Sequence, residues 1–507
     1  MSIKRYTAIA DNTITNAFER DLVTRGTGSN MGLADSLEIF HIYAQQASAS
    51  HELSRVLVQF PVVNSDATTT IQSDRTDGLI PASGSVDFYL KLSNVAHTHT
   101  LPKNYTLVVS PISQSWQEGR GLDMDEYSDL TYDGTGSNWI NASADTVWTN
   151  VNGKTLQGGS YLSASWNGSP TSAYNEFNYR VTIGDKGASD VEVKITGLVE
   201  KWIAGDYTNY GVGVFLTGSQ ESGSQSYYTK KFSARDSEYF FSRPIIEARW
   251  DSSKKDNRGN FVVSSSNLSA ADNLNKIYLY NYYRGQPKNL ANLGSENKIF
   301  VNIYTSASGG ELLTTTPDQP ITGGFVETGV YSASFALDTT ASLVYDRWWS
   351  GSEGAAITDA GVKVFHTGTI TPETFYSSNV YSIPRYVTTI TNLEPKYYNN
   401  DSARFRLFTR LKDWNPTIYT VASTQIRNKI VDDAYFKIVR LIDDKDVVKY
   451  GTGSLNHTRL SYDVTGSYFD LDMKMLEPGY GYGIKFVYYV NGSYQEQPEL
   501  FKFRVEE

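Results

Sequence analysis

Residues Asp190 to Thr217 (DVEVKITGLVEKWIAGDYTNYGVGVFLT) narrow the folding options more than any other stretch. Val191, Val193 and Ile195 alternate with Glu192 and Lys194, the pattern of a strand with one buried face. Thr196 is the expected cap of a short helix whose Leu198, Val199, Trp202 and Ile203 form an apolar stripe. Gly205 is placed to end that helix, and Asp206 to Asn209 to turn the chain. A second strand, Tyr210 to Leu216, then puts Val212, Val214 and Leu216 on one face. A helix this short is not stable alone, so it must pack on a sheet. The expectation is a helical lid closing one end of a β-sandwich.

The same alternation recurs along the chain. Strands are expected over Leu37 to Ile42, Arg55 to Phe60 (closed by Pro61), Val86 to Leu90 and Tyr105 to Val109, with Gly/Ser/Asp loops between them. A last strand, Arg243 to Trp250, closes this region. The polar stretch 251–275 is expected as a linker. Beyond it, Lys276 to Tyr283 is expected to pair with Ile299 to Thr305. Gly329 to Leu337, Val344 to Trp349 and Val362 to His366 supply further strands. From Pro384 onward, Phe405 to Thr409, Ala434 to Leu441, Tyr468 to Met473 and Gly483 to Val490 follow. Asn491-Gly492 is a hairpin turn that returns Phe501 to Val505 beside the preceding strand. The expected fold class is all-β: three consecutive β-sandwich domains, a larger one over 1–250 and immunoglobulin- or fibronectin-like ones over 276–383 and 384–507. A chain of 507 residues exceeds one ordinary core, in keeping with this division.

Composition removes several function classes. There is no cysteine, which excludes disulfides, thiolate metal sites and cysteine nucleophiles. The net charge of −10 carries no basic block, so nucleic acid and anionic membrane are not expected partners. The N-terminal MSIKRYTAIADNTI has no apolar stretch of signal-peptide length, and no segment reaches transmembrane length; synthesis and folding in the cytosol are expected.

The order ADNTI, GSNMGLADSLEIF, SRVLVQF, SWQEG, GGSYL, the Asp190–Thr217 stretch and a terminal RPIIEARW resembles the DNRLRE-type, carbohydrate-binding-module-like β-sandwich. The matching positions are Asp11, Leu37, Arg55, Leu57, Phe60, Trp116, Val193, Leu198, Val199, Trp202, Asn209, Tyr210, Gly211, Arg243 and Pro244. The chain departs from that pattern at SRVLVQFPV and in a longer insert between Trp116 and Trp166. Stretches such as TGVYSASFAL, ARFRLFTRLKDWNPTIYTVAS and PGYGYGIKFVYYVNGSYQEQPELFKFRVE look like virion structural proteins of large tailed, myovirus-type bacteriophages of marine bacteria.

Chemistry-bearing residues are sparse. Asp123, Asp125, Glu126 and Asp129 are candidate oxygen ligands for Ca²⁺. They lack the Gly and distal Glu of a calcium hand, so a solvated loop is expected. His97 and His99 share a strand face without a visible third zinc ligand. Trp348-Trp349 and Tyr278 to Tyr283 are candidate sugar-stacking surfaces, with core packing as the alternative. The aromatic, Gly-rich insert from Ser115 to Trp166 is a candidate functional loop. No catalytic, cofactor-binding or metal residue is assigned. The phage resemblance implies a non-enzymatic structural protein of a virion, in the tail, neck, baseplate or capsid surface. It would be assembled in the host cytoplasm, in multiple copies or as a homo-oligomer, against other virion proteins. A glycan-binding adhesin contacting host surface glycan is the alternative, and a polysaccharide-degrading enzyme ranks last.

Overall fold

The computed structural model describes residues 2–63, 69–97, 104–122, 124, 136–150, 152–162, 177–184, 189–291, 293, 298–351, 356–373, 384–412 and 428–507. The chain is nearly all β and divides into two compact units, Ser2–Asp251 and Ser252–Glu507.

The first unit is a two-layer sandwich. One sheet carries Ile3–Thr7, Ile245–Arg249, Asp87–Leu92 and Val191–Lys194 in that order. The other runs Tyr227–Ser233, Ser36–Tyr43, His51–Gln59, Val212–Leu216, Tyr105–Pro111 and Tyr179–Ile183, with Ala10–Thr15 also against His51–Gln59. The alternation expected over Leu37 to Ile42 is real: Leu37, Ile39 and His41 are buried while Glu38, Phe40 and Ile42 are only partly so. The core between the layers gathers Leu37, Val56, Val58, Phe60, Phe88, Leu90, Val191, Val214 and Ile246, all fully buried.

The helix spans Thr196–Ala204 and ends at Gly205, whose φ of 79° lets its amide reach the Lys201 and Trp202 carbonyls. Leu198, Val199 and Trp202 form its buried stripe. Thr196 is not the cap. Ile195 holds the cap position without a side-chain bond, and the Thr196 hydroxyl instead accepts the Phe88 amide at 2.9 Å. That bond ties the helix start to the neighbouring sheet, the hydroxyl accepting from the strand and not from a helix amide.

The second unit begins with a sandwich whose strands run Asn275–Tyr280, Val330–Leu337, Ile321–Glu327, Ile299–Tyr304, Val344–Ser350 and Lys363–Ile370. Ile321–Glu327 pairs with Ile299–Tyr304 up to Gly323 and with Val330–Leu337 from Gly324, so it passes from one layer to the other. The expected pairing of Lys276 to Tyr283 with Ile299 to Thr305 does not form. Asn275–Tyr280 pairs with Val330–Leu337, and Ile299–Tyr304, buried at every residue, lies between two other strands.

Residues 384–507 build a sandwich with the sheet orders of the immunoglobulin type. One sheet holds Tyr386–Ile390, Ser402–Leu411, Gly466–Asp472 and Ser461–Asp463; the other holds Lys396–Tyr398, Phe501–Glu506, Gly481–Val490, Ala434–Arg440 and Lys445–Val448. Lys396–Tyr398 runs parallel to Phe501–Glu506, and all other pairs are antiparallel. At the turn entering Gly481–Val490, the Tyr482 hydroxyl donates to the Glu477 carbonyl at 2.7 Å, a tyrosine corner. Asn491 and Gly492 have φ of 50° and 77°, as a two-residue Asn-Gly hairpin requires.

The stretch expected as a linker is packed into this unit from Ser252 onward. Phe261 is fully buried in the first sandwich's core. Arg258 makes a bidentate pair with the buried Asp346 at 2.6 and 2.8 Å, and Trp348 Nε1 donates to the same carboxylate at 2.7 Å. Toward the immunoglobulin-type sandwich, the Asp256 amide donates to the Tyr462 carbonyl at 3.1 Å, and the Asn257 side chain reaches the Tyr462 hydroxyl at 3.1 Å. Asp256 and Asn275 are buried and Arg258 is half-buried, while residues 266–272 stay exposed, a division that composition alone does not show.

Candidate functional site

Val212–Leu216 shows what the aromatic insert does. All five residues are buried. Val212, Val214 and Leu216 enter the core between the sheets, while Phe215 points to the outer face. There it meets a second cluster of Ile14, Leu57, Val108, Ile112, Trp116, Trp139, Trp148 and Tyr161. Trp116 Nε1 donates to the Tyr210 carbonyl and Trp148 Nε1 to the Asn138 carbonyl, both at 2.8 Å. The described tryptophans of the insert are thus core residues that offer no face to a sugar. Trp166 lies outside the described residues.

Beneath this cover sits a buried ion pair that sequence reading missed. Arg55 grips Glu221 with two bonds of 3.0 and 2.6 Å, and donates to the Gly158 carbonyl at 2.6 Å. Its guanidinium lies 5.1 Å from the Trp139 ring and 5.4 Å from Phe215. Burial works against the Arg55 charge, and the Glu221 carboxylate outweighs it, so the guanidinium is held above its ordinary range. The available signal was an arginine inside the otherwise apolar run RVLVQF. A second, half-buried cluster joins the buried Asp11, whose carboxylate accepts the Arg235 amide at 2.6 Å, to Glu118, which pairs with the Arg235 guanidinium. Burial, followed by the Glu118 charge, pushes Asp11 up to about 7, against the lowering effect of the Arg235 amide bond. Asn209 bridges the Phe60 carbonyl and the Gly211 amide. These positions matched to the DNRLRE-type module serve structure.

The remaining sequence candidates separate. Asp123, Asp125, Glu126, Asp129 and His99 lie outside the described residues, and His97 is half-buried. Among the described residues no group of three or more His, Asp or Glu side chains is arranged to hold a metal ion. A histidine pair does occur: His41 Nε2 is 3.0 Å from His51 Nδ1, with the rings stacked and His41 Nδ1 facing the Gln225 carbonyl. Burial and the His51 charge push His41 down, so it favours the neutral form. Trp348 and Trp349 are buried, their indoles bound to Asp346 and Asn302. Tyr278 is buried as well, whereas Tyr282 and Tyr283 are each 55 % exposed.

Two exposed surfaces stand apart. The first is a groove of about 890 Å³ on the outer face of the larger sheet in the first unit. Ser36, Glu38, Phe40 and Ile42, the outward half of their strand, form its wall with Thr13 and Thr15. Leu22, Leu33 and Leu122 line it as exposed aliphatic side chains. Glu19, Asp35, Glu38 and Glu52 place four carboxylates on the lining against one guanidinium, Arg20. Glu38 pairs with Lys231, and Glu52 accepts the Phe18 amide at 2.9 Å. The Arg25 guanidinium covers one face of Phe18 at 3.8 Å. The second is the small hairpin of Tyr282–Tyr283 and Gln286–Pro287 in the second unit. Arg284 and Gly285 form its tip with φ of 51° and 79°, a type I′ geometry. Lys288 lies 4.9 Å and Arg284 5.4 Å from the Tyr283 ring.

No helix among the described residues is long and apolar enough to cross a membrane. No family model and no curated protein matches the chain. Among solved structures, it aligns with trypsin-activated α2-macroglobulin from Escherichia coli at a TM-score of 0.15 and 9 % identity, covering 89 % of this chain and 24 % of that one. The native form of E. coli α2-macroglobulin aligns at 0.15 and 9 %, covering 98 % and 28 %. The chain spans about a quarter of the length of those proteins. A likeness of that size carries nothing about function.

Proposed function

We propose that this chain is a non-enzymatic structural protein of a tailed-bacteriophage virion, working by packing against neighbouring proteins in the tail, neck, baseplate or capsid surface. The observation that carries the assembly reading is the edge strand Lys363–Ile370. Only Ile370 of its eight residues is buried, and among the described residues it pairs on one side alone, with Val344–Ser350. Lys363 and a β-bulge at Phe365 blunt its first residues, and residues 366–370 remain an edge with no proline and no formal charge. Proteins that work alone blunt such edges, whereas an assembling protein covers them with a neighbour's strand. The virion itself rests on the resemblance of the sequence. Mass spectrometry of gradient-purified particles tests it: the chain is expected at a fixed multiple of the other structural proteins, and its absence from clean particles sinks the proposal.

The adhesin reading keeps one surface, the exposed Tyr282–Tyr283 pair. A glycan array separates the two: saturable binding lost in Tyr283→Ser supports the adhesin, and silence supports the scaffold.

A further inference from the structure

We propose that successive copies of this chain join head to tail, the Tyr282–Pro287 hairpin of one molecule docking in the acidic groove of the next molecule's first unit. The argument begins with charge. The whole chain carries −10, so copies repel unless a local cationic surface faces a local acidic one. The hairpin presents Tyr282, Tyr283, Arg284 and Lys288 together, every one exposed. The groove presents Glu19 and Asp35, which make no ion pair among the described residues, beside the exposed Leu22 and Leu33. Aromatic anchors with an arginine, set against aliphatic surface ringed by carboxylates, are the composition of an interface centre.

The hairpin is also built to project. Its tip puts Arg284 at φ 51°, where Asn or Gly would be at ease. The base is fixed: the Lys288 amide donates to the Asn281 carbonyl, and the Asn281 amide to the Gly329 carbonyl at 2.7 Å. A groove of about 890 Å³ has room for several side chains. Pairing groove with groove or hairpin with hairpin sets like charges opposite one another, so each contact joins a hairpin to a groove. A contact between two different surfaces repeats, giving a ring if the rotation closes and a filament if it does not. Its biological use rests on the assembly reading above; the self-association does not.

Sedimentation of the full-length chain over a range of concentrations and salt tests the docking. The average mass is expected to rise with concentration at low salt and to fall as salt shortens the screening length to about 10 Å at 0.1 M. Arg284→Glu with Lys288→Glu, or Glu19→Lys with Asp35→Lys, is expected to weaken association by on the order of ten- to a hundredfold. All four changes together restore it. Arg284→Asn suits the left-handed tip, so it keeps the fold while weakening association. A chain that sediments as a monomer throughout overturns the proposal, as do charge reversals that associate like the parent or a combined variant no better than either pair. Tyr283-dependent glycan binding without self-association also overturns it. None of these results decides whether the chain is a particle component, which the mass spectrometry answers.

Discussion

The buried Arg55–Glu221 pair makes a sharp energetic prediction. The two side chains are 4 % and 9 % exposed and are joined by two short bonds, so neither charge has water to fall back on. Replacing Glu221 with Met strands the guanidinium beside Trp139 and Phe215, and replacing Arg55 with Met strands the carboxylate. Breaking a buried pair in this way costs about 3–5 kcal/mol, most of it the penalty of an unpaired buried charge. Arg55→Met leaves the Gly158 carbonyl with the Tyr161 hydroxyl, at 3.1 Å, as its donor. The double variant Arg55→Met/Glu221→Met removes both charges and leaves apolar side chains against apolar rings. It is expected to cost no more than about 2 kcal/mol, so with singles that sum to about 6–10 kcal/mol the coupling is on the order of 4–10 kcal/mol in a double-mutant cycle. Urea unfolding followed by tryptophan fluorescence measures it, with Trp139 and Trp148 in the same cluster as Tyr161 and Phe215. Single variants that each cost under about 1 kcal/mol, or a double variant equal to the sum of the singles, refute the claim that the two charges stabilise each other in a water-free site.

Three further outcomes are expected. A Cβ on Gly213 would lie 2.0 Å from Tyr161 Cε1, so Gly213→Ala should destabilise the first unit by about 1–3 kcal/mol, read as a lowered urea midpoint, with Tyr161→Leu recovering part of the loss. Asp11 is raised from 3.8 to about 7, so the native state holds its proton longer than the unfolded chain does; this contribution is intact below about pH 4 and is lost as pH rises through about 7. At about 1.4 kcal/mol per pKa unit the loss reaches about 4 kcal/mol, and Asp11→Asn should flatten that slope in thermal melts across pH. Arg258→Ala leaves the fully buried Asp346 with only the Trp348 indole and should free residues 254–258 to trypsin, seen as early cleavage at Lys254 and Lys255 that the parent resists.

Local pattern was readable where one face is buried and the other wet. Ser36–Tyr43 and Val191–Lys194 declare their inward sides by alternation, Gly205 marks a helix end and Asn491-Gly492 a hairpin, because each depends on a few adjacent residues. What was not readable is what lies across from a face. Asn275–Tyr280 pairs with Val330–Leu337 and not with Ile299–Tyr304, a choice made by which sheet layer each strand joins. The polar composition of 251–275 hid Arg258 and Phe261, since a buried ion pair and a solvated one are written with the same letters. The groove and the projecting hairpin were illegible for a related reason. The groove's members, from Thr13 to Met124, are scattered in sequence and meet only in the folded sheet, whereas the hairpin's Tyr282 to Lys288 are adjacent and only their exposure was hidden.

The aromatic insert follows from one strand's demand. Five consecutive buried residues at Val212–Leu216 cannot be served by a sheet with one dry face, since alternate side chains leave on opposite sides. Val214 is covered by the opposite layer; Phe215 needs a second cover, and Trp116, Trp139, Trp148 and Tyr161 provide it. Gly213 leaves that face open to the Tyr161 ring, since a Cβ there would lie 2.0 Å from Tyr161 Cε1. An unbroken apolar run therefore carried the information that a bulky cap must exist, and a tryptophan-rich insert in the same unit was its natural source. The described rings of the candidate functional loop are spent on closing the first unit's outer face.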